Sequence, residues 1–196
     1  MTEHWNSVTR FHTAEYLSRG EYMLKMREAD FEHARREWEF IKEMPADENG
    51  MTNPWAGLSE EEFLKDGLTQ MMSYAKGENL PEGYVPETFY FLYDDEEIVG
   101  HFRIRHYLTE ALRKGAGHIG YCIGRKHRGK GYGTAGMNLI IPIASEIIPE
   151  EEIWLRVNRD NLPSIRVMLK CGGRIVSEDD EKYYVRIPKT KEVNDE

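Results

Sequence analysis

Between Arg125 and Gly136 the chain reads RKHRGKGYGTAG, with four glycines, four fixed cations and no acid in twelve residues. Glycines let backbone N–H groups approach an anion closely, and a following helix adds unpaired N–H groups and a favourable dipole. The chemistry these residues predict is phosphate binding. Three spacings overlap there. Gly124 to Gly131 nearly matches the nucleotide P-loop, Gly-x4-Gly-Lys-Ser/Thr. Gly131-Tyr-Gly133-Thr-Ala-Gly136 is a literal dinucleotide fingerprint, G-x-G-x-x-G. Arg128-Gly-Lys-Gly131-Tyr-Gly133 is Arg-x-x-Gly-x-Gly, the spacing of an acyl-CoA pyrophosphate loop.

The charge around the loop points the same way. From Ala111 to Ser145 there is no Asp or Glu, while Arg113, Lys114, Arg125, Lys126, Arg128 and Lys130 fall inside. The chain as a whole has 26 Lys+Arg against 35 Asp+Glu, a net charge of −9. That balance argues against a nucleic-acid or anionic-membrane binder and fits a local anion site in an acidic protein. Cys122 and Cys171 stand in no metal or redox spacing, so no metal is expected and a reducing compartment is. The longest apolar run, Met137–Ile148, is broken by Asn138, Pro142, Ser145 and Glu146, and it is too short to span a bilayer. The opening MTEHWNSVTR lacks the regions of a signal peptide. The expectation is a soluble, cytoplasmic protein.

The elements that must position the loop follow from periodicity. At 196 residues, 40% hydrophobic, the chain suits one domain. Residues 1–20 show no clear period and read as an N-terminal arm, either extended or helical. Glu21–Arg27 alternates as a first strand. Asp30 can cap a helix carrying Phe31, Ala34, Trp38 and Ile41, and Ser59 with Glu62 forms a capping box for a second. Residues 88–93 and 98–107 read as a hairpin around Asp94-Asp-Glu-Glu97, and GHIGYCIG (117–124) as the next strand. The glycine loop and a helix to about Ile148 follow. Then come a strand at 153–157, a short helix opened by Asn161-Leu-Pro-Ser, and two strands near 173–177 and 182–188. Residues 189–196 form a polar tail. The order is β-α-α-β-β-β-α-β-α-β-β, an α/β (α+β) arrangement.

That order decides among the phosphate spacings. The P-loop reading lacks Ser or Thr after its Lys, because Gly131 stands there, and no downstream strand ends in an Asp. The dinucleotide reading leaves only 60 residues after Gly136, too few for the remaining βαβ units. The third fits, and residues 21–188 resemble the GNAT (Gcn5-related N-acetyltransferase) superfamily. Its central signature is Arg128-Gly-Lys-Gly131-Tyr-Gly133; its later Asn-x-x-Ser/Ala segment is Asn161-Leu-Pro-Ser164, with Gly172 eleven residues past the Asn. Within the superfamily, RHYLTEALRKGAGHIGYCIG resembles a branch of predicted acetyltransferases of unassigned substrate. The resemblance implies a mixed, mostly antiparallel central sheet flanked by helices, splayed between its fourth and fifth strands.

The resemblance also implies an acetyl-CoA-dependent N-acetyltransferase in which a primary amine attacks the thioester directly in a ternary complex, with no metal. Backbone N–H groups of Arg128, Gly129, Lys130, Gly131, Tyr132, Gly133 and Thr134 would hold the pyrophosphate. Cys122, Ile123 and Gly124 would pair with the pantetheine arm, Ile123 facing the thioester carbonyl, and Asn161 and Ser164 would touch the cofactor. An ammonium must lose a proton before attack. His118 is the first candidate base and His106 the second, each with the alternative of being satisfied within the sheet; Glu110 acting through water is a third. The proton-donating Tyr found in many members is replaced here by Met168, leaving Tyr183 or Tyr184 as substitutes. The acceptor, a small-molecule or peptide amine, is expected near the first two helices, residues 44–57 and the last hairpin, with Asp47, Glu48, Asn53 and Trp55 available to meet it. The N-terminal arm is available to pack across a homodimer. The competing reading is a non-catalytic CoA-binding regulatory module with the same fold.

Overall fold

Alternating side chains in Met23–Glu28 (β2) and Glu87–Asp94 (β5) seed the sheet. The computed structural model describes residues 14–17 and 23–189. Ala14–Leu17 (β1) pairs with β2 at the sheet edge, so the described part of the expected arm adds a strand, while residues 1–13 and 18–20 lie outside the described residues. Of the expected polar tail only Lys189 is described. β5 continues through a hairpin into Glu97–Arg105 (β6), and β6 pairs with Ile119–Ile123 (β7), giving the order β1-β2-β5-β6-β7. Glu152–Asn158 (β8), Arg174–Glu178 (β9) and Lys182–Pro188 (β10) form a separate sheet ordered β8-β10-β9. All of these ladders are antiparallel.

The predicted splay lies between β7 and β8. They meet only at its base, where Gly117 bridges Leu155 and the His118 N–H donates to the Trp154 carbonyl at 2.7 Å. A side chain at Gly117 would lie 2.3 Å from that carbonyl, so only glycine permits this approach.

Two apolar layers cover the larger sheet. On one face Tyr90, Leu92, Phe102 and Ile104 pack against Tyr132–Ile147 (α5), in a core that continues into Leu155, Val157 and Val185 of the smaller sheet. A Cβ at Gly136 would lie 2.3 Å from Phe102 Cζ, so this glycine seats α5 on the sheet rather than holding a nucleotide. On the other face Phe89, Phe91 and Tyr93 meet Ala34–Ile41 (α1) and Leu68–Ala75 (α3).

Three local features depart from the sequence expectations. Asp30 does not cap α1; its carboxylate accepts the His33 N–H at 2.8 Å one turn earlier, and Phe31 stays exposed. The second helix is interrupted: the capping box at Ser59 opens Glu60–Glu62 (α2), and a π turn over Phe63–Gly67 leads into α3. Residues 44–57 carry a two-rung hairpin, Asp47–Glu48 (β3) with Met51–Thr52 (β4), and Glu110–Lys114 (α4) lies between β6 and β7.

Candidate functional site

The chain leaves β7 through a 3-10 turn at Arg125–His127 and enters α5 by way of two glycines with left-handed backbone, Gly129 at φ +78° and Gly131 at φ +90°. Gly131 accepts the Thr134 and Ala135 N–H groups at 3.0 and 3.1 Å, starting the helix. The N–H groups of residues 129–133 have no acceptor among the described residues. Nothing lies within 4 Å of a Cβ placed on Gly129 or Gly131, so the bend faces open space. Five successive free donors at the N-terminus of a sixteen-residue helix form a strong anion cradle.

A cleft of about 580 Å³ runs from this cradle along the gap between β7 and β8. Of the residues expected to hold a cofactor, Arg128, Gly129, Gly131, Tyr132, Gly133 and Thr134 line it at the loop end. Cys122 and Ile123 line its β7 wall, and Asn161 and Ser164 its far wall, on Leu162–Lys170 (α6) and the turn before it. Lys130 and Gly124 do not line it. Gly124 faces a second cavity of about 590 Å³ on the α1 side, which also shares Cys122, Ile123 and Arg128 with the cleft. The Asn161 side-chain Oδ1 accepts the Ser164 N–H at 3.3 Å, so Asn161 caps α6 while facing the cleft. Met168, the position of the expected acid, is buried and lines the cleft without a polar atom to offer.

The acid-free window is neutralised in space by acids from distant segments. Glu48 pairs with Arg128 at 2.5 Å and Arg125 at 3.7 Å, Glu97 with Lys126 at 3.1 Å, and Glu150 with Arg113 at 3.2 Å. The Arg128 hydrogen bond, first among several causes, holds the Glu48 carboxyl below its ordinary range. Arg128 Nε also donates to the Ile123 carbonyl at 3.0 Å, folding the side chain back over the end of β7. Lys130 has no ion pair among the described residues and points its charge into solvent beside the loop.

Neither candidate histidine belongs to the cleft. His118 is fully buried: the Trp154 N–H donates to its Nδ1 at 2.9 Å, so its proton sits on Nε2, which donates to Glu150 at 3.0 Å. Glu150 in turn accepts from the Leu108 N–H and from Arg113. Burial pushes His118 below its ordinary pKa despite Glu150, and both ring nitrogens are engaged, so it has no lone pair for a substrate proton. His106 Nε2 lies 2.7 Å from Thr88 Oγ1 at the far end of β6, also outside the cleft. Glu110 stands exposed on α4 beside Arg113. Tyr184 is tied to Asp179 at 2.7 Å and Tyr183 lies under Arg159, both away from the cleft. Of the acceptor candidates only Glu48 lines the cleft; Asn53 braces the end of α1 through Ile41 and Met44, Trp55 is buried against Gln70, and Asp47 turns toward Gly50.

Two features of the cleft escaped the sequence reading. Tyr121, stacked on Phe102, places its hydroxyl 2.8 Å from Ser164 Oγ, and burial raises its pKa to about 12, so the pair keeps both protons. At the base of the gap, Arg103, Arg105 and Arg156 line the cleft. The alternation in HFRIR carries the signal for the first two, since it sets Arg103 and Arg105 on one face of β6 and Phe102 and Ile104 on the other.

The chain belongs to the acetyltransferase (GNAT) family, whose model matches residues 51–173, and it is therefore an acyltransferase by family. A comparison with curated proteins by sequence found no match. Among solved structures, it is similar to the GNAT domain of S. lividans PAT, at 16% identity, with 90% of this chain and 96% of that one covered and a TM-score of 0.60. It is similar to Mycobacterium smegmatis RimJ in complex with CoA-disulfide, at 20% identity, 85% and 82% coverage and a TM-score of 0.59. A third is the Salmonella typhimurium acetyltransferase that modifies the N-terminal serine of ribosomal protein L7/L12, at 16% identity, 86% and 95% coverage and a TM-score of 0.55. At these identities the likeness is one of fold. Among the described residues no helix is long and apolar enough to cross a membrane, and no cluster of His, Cys, Asp and Glu is placed to hold a metal ion.

Proposed function

We propose that the protein transfers an acetyl group from acetyl-CoA to a primary amine by direct attack in the cleft. The observation that carries this reading is the run of five free N–H groups at residues 129–133, opening into a cleft along the edge of β7 that faces away from β6, where no strand among the described residues pairs with it. The diphosphate of the cofactor occupies the cradle. The pantetheine arm lies along Tyr121–Ile123 as an added strand, and the Ile123 N–H faces the thioester oxygen and stabilises the oxyanion. Arg128 must release the Ile123 carbonyl, or share it, as the arm seats.

The amine nitrogen attacks the carbonyl carbon, and the carbon–sulfur bond breaks as the tetrahedral intermediate collapses. The departing thiolate accepts a hydrogen bond from the Ser164 hydroxyl, which Tyr121 holds in place, and takes up through water the proton that the attacking nitrogen releases; this pair stabilises the leaving group where Met168 cannot. No histidine base is assigned. The amine enters as its neutral fraction and gives up its second proton to water, so kcat/KM rises with pH toward the amine's own pKa. Much of the acceleration then comes from holding the two reactants together.

Calorimetry with acetyl-CoA, NADH and Mg-ATP tests the reading on wild type and Gly131→Asp. Only acetyl-CoA should bind, and the variant, with an L-residue at φ +90° and a carboxylate facing the diphosphate, should lose about 100-fold or more. Binding of NADH or ATP in place of acetyl-CoA would overturn it. Tight acetyl-CoA binding without turnover of any amine would instead support the regulatory module.

A further inference from the structure

The end of the cleft away from the glycine loop is strongly cationic, in a chain of net charge −9. Strand register locates this end. Arg103 of β6 stands opposite Gly120 of β7, and the Arg105 N–H bonds the His118 carbonyl at 2.8 Å, at the closed base of the splay. Arg156 follows Leu155, the residue that bridges Gly117, and so flanks the same base from β8. All three arginines line the cleft.

Among the described residues one carboxylate answers them. Buried Glu87 lies 3.1 Å from Arg105 and 3.6 Å from Arg103, while Arg156 has no ion pair among the described residues. Arg103 is held loosely. Only 9% exposed, it reaches Thr52 at 3.5 Å, and its Nε has no hydrogen-bond partner among the described residues. Burying a guanidinium donor unpaired is costly unless a ligand completes it. The room for that group comes from Gly120, where a Cβ would lie 2.8 Å from Arg103 Nε. Burial and the neighbouring charges of Arg103 and Arg156 act against the protonated form of Arg105, which is lowered to about 10 and so still charged at neutral pH.

We propose that this arginine cluster is an anion subsite for the acceptor, so that the amine acetylated here carries a carboxylate or phosphate. The inference rests on the acetyltransferase reading: with the diphosphate at the glycine loop, the acetyl group points along β7 toward Gly120, and the acceptor comes from the arginine end. Guanidinium groups match both anions in bidentate geometry. The subsite takes the place of the acceptor contacts expected from Asp47, Asn53 and Trp55, which do not line the cleft.

The test uses full-length protein with acetyl-CoA and matched pairs of primary amines: β-alanine with β-alaninamide, 4-aminobutyrate with its amide, glycylglycine with glycylglycinamide, and phosphoethanolamine with ethanolamine. Acetyl-CoA binding is measured separately by calorimetry, which reads the acetyltransferase assignment independently. The expected result is a preference of about tenfold or more in kcat/KM for at least one anionic member over its neutral partner, the carboxylate and phosphate arms showing which anion is read. In Arg156→Gln that preference should fall to about threefold or less through KM, with acetyl-CoA affinity unchanged. Arg103→Gln should act in the same direction. If acetyl-CoA binds and the neutral partners are used as well as the anions, or no anionic amine is used, the subsite is overturned. A preference that survives in both variants overturns it equally.

Discussion

His118→Ala separates a structural histidine from a catalytic one. The substitution leaves the Trp154 N–H without an acceptor in a fully buried site, which costs about 1–3 kcal/mol. It also removes the Nε2–H donor to the Glu150 carboxylate, worth about 1.5–3 kcal/mol as a charge-assisted bond. With some relaxation around the lost ring, the expected destabilisation is about 3–5 kcal/mol, or roughly 10 °C in Tm for a chain of this size. Urea unfolding gives the first number and differential scanning calorimetry the second. Because burial depresses the His118 pKa, its contribution is present above about pH 6.5 and is lost as pH falls through the folded-state value; wild type and variant should converge in acid. Below its midpoint the variant should keep kcat within about tenfold of wild type, with an unchanged pH profile. The opposite pattern, stability intact and kcat down by about 100-fold with the basic limb altered, would make His118 the base and refute the reasoning.

Two further outcomes follow from buried groups. Glu37 is fully buried on α1 with Oε2 unpartnered among the described residues, and desolvation raises its pKa to about 9, so it folds protonated. Its stabilising contribution is complete below about pH 4.5 and is lost as pH rises through about 9, so Glu37→Gln should stabilise by about 3 kcal/mol at pH 8 and by little at pH 5; a difference independent of pH, read by urea titration, would contradict this. Burial likewise pushes the Cys122 thiol up to about 12, so it should react slowly with iodoacetamide at pH 8 and Cys122→Ala should keep kcat within about threefold, whereas fast alkylation with loss of turnover would point to an acyl-cysteine route.

The sheet strands and the glycine loop were legible because alternation and glycine spacing are local signals. GHIGYCIG reads as a strand from its own pattern, and Gly129 and Gly131 announce a bend that other residues resist. The splay was legible only through resemblance, since it depends on how far β7 stands from β8. What the sequence hid were pairings between distant segments. Glu150 lies 32 residues from His118 and engages its Nε2. Glu48 lies 80 residues from Arg128 and cancels charge that the acid-free window left open. Tyr121 and Ser164, 43 apart, become a hydroxyl pair only across the cleft. In β1, four residues with no contrast between faces gave periodicity nothing to grip.

The join between the two sheets has a thermodynamic consequence. β7 and β8 share one bridge at Gly117, and the cleft continues the missing ladder. A ligand strand laid there supplies rungs that the polypeptide omits, linking the cradle at α5 to the α6 wall. Amides in β8, β10 and α6 should therefore exchange with deuterium through a partial opening in the empty protein, and only through global unfolding once the gap is filled. On the proposed binding mode the cofactor is a removable strand, and its departure should loosen the smaller sheet while the shared core still joins it to the larger.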